Sequence, residues 1–134
     1  MKDFFLDTSG LFCCLDKGDH SHQEAVKHLK SEQHMLIHNY ILAELIALCT
    51  NRPNVNRHDA MVYLKDLTNQ KNIEVVWITQ EIQTSAMILL EERAEKNYSL
   101  CDAVSFILMK ERDINEALTT TGNCKIRFSV FYRA

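Results

Sequence analysis

The sequence predicts an α/β fold, a layered sheet of parallel strands joined by helical crossovers, and three observations predict it. Short apolar runs recur at residues 4–6, 35–37, 73–78 and 117–120. The first of them, Phe4-Phe5-Leu6, is continuous instead of alternating, the pattern of a strand covered on both faces. The segments between them carry apolar residues at helical spacing, and strands that alternate with helices pair in parallel. A chain of 134 residues, 46% hydrophobic with three glycines and one proline, suffices for one compact domain and is too short for two. The domain is therefore taken as residues 1–134.

In chain order, Phe4-Phe5-Leu6 reads as a buried strand that stops on Asp7 and turns at once through Thr8, Ser9 and Gly10. A brief helical region follows over 11–15, closed by Asp16-Lys17-Gly18-Asp19. Asp19 or Ser21 caps a helix to about residue 31, with Ala25, Val26 and Leu29 on one side. Met35-Leu36-Ile37 makes the second strand, bracketed by His34 and His38 as strand-end polar residues. Asn39 opens a helix that ends before Asn51-Arg52-Pro53. Another amphipathic helix spans 56–68, a β-branched third strand spans 73–78, and Thr79 caps a long helix that ends around Lys96-Asn97. Ser99 and Asp102 have the spacing of a capping box at the start of the next helix. The strand Ala117-Leu118-Thr119-Thr120 follows.

The formal net charge of −3 argues against a protein that coats nucleic acid nonspecifically, while a local basic patch can still steer a polyanion. Cys13, Cys14, Cys49, Cys101 and Cys124 form an odd set without CxxC spacing. They read as buried thiols of a reducing compartment, not as a disulfide frame or a zinc site. Asp3 interrupts the N-terminal apolar run, and no stretch is long enough to cross a bilayer, so a cytoplasmic location without membrane contact is expected.

Three carboxylates draw notice. Asp7 ends the first strand, where α/β sheets gather ligands, although Asp7, Thr8 or Ser9 could equally cap the following helix. Glu44 falls on the flank of a broad apolar arc of its helix, and is either a core-edge carboxylate needing a partner or a boundary residue reaching water. Asp102 shares a helical face with Phe106 and Met109, yet its capping-box spacing explains it without chemistry. His20, His22 and His28 lack fixed ligand spacing and read as solvated or capping residues. Three carboxylates meeting at one end of a parallel sheet would repel and resist ionisation unless a cation neutralised them. A hard divalent ion, Mg²⁺ or Mn²⁺, suits oxygen ligands and can activate water against a phosphodiester, which is nuclease chemistry.

The run Phe5-Leu6-Asp7-Thr8-Ser9, the pair Ala43-Glu44, the segment Ser99-Leu100-Cys101-Asp102-Ala103 and Ala117-Leu118-Thr119-Thr120 together resemble the PIN-domain family, in order and at its usual spacings. The resemblance covers nearly the whole chain up to Thr120. It implies a three-layer α/β/α sandwich with a mainly parallel central sheet, similar to the small VapC-like toxins of toxin–antitoxin pairs. It further implies a Mg²⁺- or Mn²⁺-dependent endoribonuclease whose metal-binding and catalytic carboxylates are Asp7, Glu44 and Asp102. Thr8, Ser9 and Thr121 become supporting hydroxyls, the partners an RNA substrate and a cognate antitoxin, and the assembly a homodimer.

One departure stands out. The family usually carries a fourth acid in a pattern like T-T-D, whereas this chain reads Thr119-Thr120-Thr121 and has no Asp or Glu from Ala117 to its last residue. Losing that carboxylate should weaken at least one metal position. The stretch 121–134 is an atypical tail, readable as a closing strand or, through Lys125, Arg127 and Arg133, as a phosphate contact. A PIN-like domain with impaired catalysis that binds RNA or an antitoxin is therefore the alternative. A phosphoacceptor receiver modified on Asp7 is a third reading, which the absence of an acidic pair and a strand-closing lysine disfavours.

Overall fold

Phe4, Phe5 and Leu6 have no exposed surface, because the strand they form lies inside the sheet with a parallel neighbour on each side. The computed structural model describes residues 3–31, 33–121 and 125–127, with Thr121 and 125–127 described by backbone alone. The elements are β1 (Phe4–Leu6), α1 (Thr8–Leu15), α2 (His22–Leu29), β2 (Met35–His38), α3 (Asn39–Thr50), α4 (Arg57–Thr68), β3 (Ile73–Val76), α5 (Gln80–Glu92), α6 (Leu100–Glu111), β4 (Ala117–Thr121) and β5 (Lys125–Arg127). The Thr121 hydroxyl, Cys124 and the side chains of Lys125, Arg127 and Arg133 fall outside the described residues.

The sheet order is β3-β2-β1-β4-β5, parallel from β3 through β4, with β5 antiparallel at the β4 edge. The chain steps outward from β1 to β2 to β3, then returns to lay β4 on the other side of β1. Right-handed crossovers therefore put α1–α4 on one face and α5–α6 on the other, the expected α/β/α layering. Helix contacts agree: α1 meets α2 and α3, α3 meets α4, and α5 meets α6. One hydrophobic cluster runs through the strands and α1–α4 and takes in Cys101, Leu108 and Met109 of α6, and a smaller one joins Ala86 and Leu89 of α5 to Ala103, Val104 and Phe106 of α6. Because the strand order reverses between β1 and β4, a crevice opens there at the strands' carboxyl ends.

Several helix starts follow the expected chemistry. Asn56 Oδ1 accepts from the His58 and Asp59 amides, Thr79 Oγ1 accepts from Ile82, and Ser99 with Asp102 forms a reciprocal capping box. Others differ. Helix α1 begins at Thr8, not near Leu11, because the Asp7 carbonyl already takes the Leu11 amide. Strand β3 stops at Val76, not Ile78, since its partner β2 turns into α3 after His38 and leaves nothing to pair with. Helix α5 ends at Glu92, just past Leu89, its last buried residue. His38, read as a strand-end polar residue, has no exposed surface and caps α3 by accepting from the Ile41 amide. Cys13, Cys14, Cys49 and Cys101 are buried free thiols, and no helix among the described residues is long and apolar enough to cross a membrane.

The opposite, amino rim of the sheet is tied by charge. His34 lies 3.0 Å from Asp3 and 3.7 Å from Glu74, and Arg112 at the end of α6 grips the Glu74 carboxylate with bonds of 2.8 and 3.2 Å. The Arg112 hydrogen bonds hold the Glu74 carboxyl below its ordinary value of 4.5. A depressed folded value means the stabilisation is present at neutral pH and is lost as pH falls below that range. Both side chains are about 40% exposed, so solvent screening limits the effect. Arg112→Ala should lower unfolding free energy by about 0.5 kcal/mol at pH 7 and by nothing measurable at strongly acid pH. Urea melts at the two pH values check this, and equal losses at both would rule out the ion pair as the cause.

Candidate active site

The site is built where β1 hands over to α1. The Asp7 amide donates to Leu118 O of β4 at 3.1 Å and its carbonyl accepts from Leu11, so one residue is both the last rung of a ladder and the first turn of a helix. Its carboxylate makes no cap to α1. Instead, Oδ2 accepts from Thr119 Oγ1 at 2.8 Å and from Ser9 Oγ at 3.0 Å. Ser9 Oγ in turn accepts from the Thr120 amide at 3.0 Å. With both hydroxyl protons committed to Asp7, the 3.2 Å approach of Ser9 to Thr119 is a close contact and not a third bond.

Gly10 makes this geometry possible. A Cβ there would lie 2.3 Å from Leu118 O and 2.7 Å from Leu118 C, so α1 rests directly on the β4 backbone. Only that approach lets Ser9 reach Thr119 and Thr120. Sequence reasoning saw Gly10 as a turn residue; its role is contact, not conformational freedom.

Asp7 is 8% exposed, and burial pushes its carboxyl above its ordinary range. The hydrogen bonds from Thr119 and Ser9 work against that rise, and the charge of Asp102 adds to it. Asp102, half-buried in the first turn of α6, therefore lies within electrostatic reach of Asp7 although their chain positions are far apart. Its Oδ2 accepts from the Ser99 amide at 3.0 Å, so capping and nearness to Asp7 hold together, and neither reading excludes the other. Glu44 is half-buried on α3 and makes no hydrogen bond or ion pair with a described residue. Burial, then the charges of Glu44, Asp7 and Asp102, push the Cys101 thiol up.

Thr8 Oγ1 sits against that thiol, buried and with no conventional hydrogen-bond partner. An orphaned hydroxyl among carboxylates that repel one another is a donor set of hard oxygens lacking a positive centre. A divalent cation fits that chemistry. Yet among the described residues no three His, Cys, Asp or Glu side chains lie close enough to enclose one.

A buried relay beneath the acids was not legible beforehand. His38 Nδ1 accepts from Ile41, so Nε2 carries the proton and donates to Ser105 Oγ at 2.8 Å, and Ser105 donates to the Cys101 carbonyl at 2.9 Å. Burial lowers His38 to about 4, so it stays neutral in this role. The relay fastens the start of α3, which carries Glu44, to the turn of α6 that carries Asp102. A signal existed: Ile37-His38, like Leu6-Asp7, is a buried run ending on a polar residue at the same rim. A groove of about 1100 Å³ lies elsewhere, between α2 and α4, and contains none of the acids.

No protein-family model and no curated protein matches the sequence. The architecture nevertheless defines the class of fold: it is a PIN-like α/β/α fold, shared with a solved VapC toxin. The crystal structure of Mycobacterium tuberculosis VapC20, a toxin that cleaves the sarcin–ricin loop, superposes with a TM-score of 0.77 at 24% identity, over 90% of this chain and 92% of that one. A toxin–antitoxin complex from Klebsiella pneumoniae superposes with a TM-score of 0.61 at 17% identity, over 90% and 88% of the respective chains. At these identities the likeness establishes the fold.

Proposed function

We propose that the chain is a Mg²⁺- or Mn²⁺-dependent endoribonuclease of toxin type, acting on structured RNA in the cytoplasm as a homodimer and restrained by an antitoxin. The observation that carries this reading is the cluster at the β1–β4 crevice: a buried Asp7 repelled by Asp102, with the orphaned Thr8 hydroxyl beside them. Asp7 and Asp102 would hold the cation, with Glu44 and Thr8 completing the set. When bound, the ion supplies charge neutralisation for the phosphate and acidifies a water. Ser9 and Thr119 fix the Asp7 carboxylate by bonding one oxygen, which orients it before any ligand arrives. The groove between α2 and α4 supports the partner half of the reading. It is apolar along Leu15, Val26, Leu29 and Leu67, with both lysines (Lys17, Lys30, Lys71) and carboxylates (Asp59, Asp66) at its lining, which suits an apolar helix of mixed charge.

A second reading, an impaired nuclease, is favoured by two specific observations: Thr121 stands where a fourth acid is expected, and no three metal-ligating side chains close on one point among the described residues. Cleavage of a hairpin RNA with Mn²⁺, comparing the unaltered chain with Thr121→Asp, separates the two. The active reading expects metal-dependent cleavage by the unaltered chain. Cleavage gained only with Thr121→Asp would establish the impaired one; cleavage by neither would sink the active reading, and RNA that also fails to bind would sink the RNA-binding form of the impaired one.

A further inference from the structure

Trp77, the chain's one tryptophan, is 72% exposed, the most exposed large apolar side chain among the described residues. It follows directly on Val76, the last residue of β3, so it lies at the carboxyl rim, the same rim as Asp7. Two strand spacings separate β3 from β1, or about 10 Å. The linker that carries it is held at both ends. Val76 pairs in register with His38, the Ile78 amide donates to Asn39 Oδ1 at 2.7 Å, and Thr79 caps α5. A large aromatic face is thus presented in a fixed place, with no hydrogen bond or ring contact to any described residue.

We propose that Trp77 is a stacking platform for an unstacked RNA base one or two nucleotides from the phosphate held at the acidic centre. This inference rests on the ribonuclease reading. RNA is read chiefly through splayed-out bases stacked on aromatic side chains, and stacking tolerates any base. It also answers a difficulty of that reading: the chain is net acidic, so charge alone supplies little hold on RNA. A second protein copy suits the residue less well. A stable interface needs about 800 Å² per partner, whereas a tryptophan provides about 200 Å², enough to cover one base. Ile78 after it is half-buried and packs toward α5 and α6, and Thr79, Gln80 and Glu81 beyond are polar and exposed, so Trp77 is the one fully presented apolar face of this linker.

The test uses a labelled hairpin RNA with an unpaired loop in Mg²⁺, with the Trp77 variants and their parent in an Asp7→Asn background so that the probe survives. Trp77 fluorescence should be quenched on RNA addition. Trp77→Ala should bind about tenfold more weakly by anisotropy, with Trp77→Phe recovering most of the affinity. Unchanged affinity in Trp77→Ala with no quenching in the parent overturns the inference and leaves the ribonuclease reading intact. No RNA binding by the parent in Mg²⁺ and none by the unaltered chain in Ca²⁺ removes that reading and the inference with it. If Trp77→Ala instead dissociates a dimer in sedimentation and leaves RNA affinity unchanged, the residue belongs to a protein contact and the inference is wrong.

Discussion

Asp7→Asn is expected to reduce RNA cleavage by at least about a thousandfold, ~4 kcal/mol of transition-state stabilisation, while making the metal-free protein harder to unfold. The two effects have one origin. Burial raises the Asp7 carboxyl above its ordinary value of 3.8, so the folded state prefers the protonated form. A raised folded value contributes stability at low pH that is lost as pH rises through it, so at neutral pH the ionised side chain strains the fold. Asparagine carries no charge to desolvate, and its carbonyl can still accept from Ser9 and Thr119. Metal should reverse the order, because a cation that binds only the native unaltered chain adds stability to it alone. Thermal melts with and without Mn²⁺, beside a cleavage assay, check both halves. Equal cleavage by the two proteins would mean that the activity is a contaminant's or that Asp7 stands outside the chemistry.

Gly10→Ala should be the most damaging single methyl in the chain, costing at least about 3 kcal/mol, the upper end for overpacking. The new carbon would meet backbone, Leu118 O at 2.3 Å, and not a side chain able to swing away. Strand β4 cannot retreat, because Leu118 is paired with Leu6 and its carbonyl holds the Asp7 amide. Alanine's better helix propensity returns ~1 kcal/mol at most. Any protein that still folds must tilt α1 away from β4, which draws Ser9 from Thr119 and frees the Asp7 carboxylate. Chemical denaturation measures the first consequence and cleavage per folded molecule the second. A Gly10→Ala protein as stable as its parent would mean that helix and strand are not in contact.

The strands and helices were legible because each obeys a local rule. Phe4-Phe5-Leu6 is apolar on every residue since both faces are covered, and Asn56, Thr79 and Ser99 announce helix starts that the structure contains. The expectation that Asp7 and Asp102 share a site rested on the rule that ligands gather at strand carboxyl ends, together with the familiar order of motifs. What escaped were contacts whose partners are distant in the chain. Thr119 was read as strand and not as the donor to Asp7, because a hydroxyl on β4 gives no sign of what stands across the ladder. His38 looked like a polar strand end because nothing local reveals that Ser105 waits to satisfy its second nitrogen. Trp77 was counted into a strand because propensity cannot know that β2 has already turned away.

The short antiparallel strand β5 carries none of the acids, yet their alignment depends on it. Thr120 sits opposite Ile126 and Thr121 opposite Lys125, so β4 is an interior strand gripped from both sides. Side chains on a strand point alternately up and down, and a slide of one residue would swing Thr119 away from Asp7 and offer Leu118 or Thr120 in its place. An edge strand is free to make such slides. By denying β4 that freedom, β5 works as a latch that keeps one hydroxyl aimed at one carboxylate.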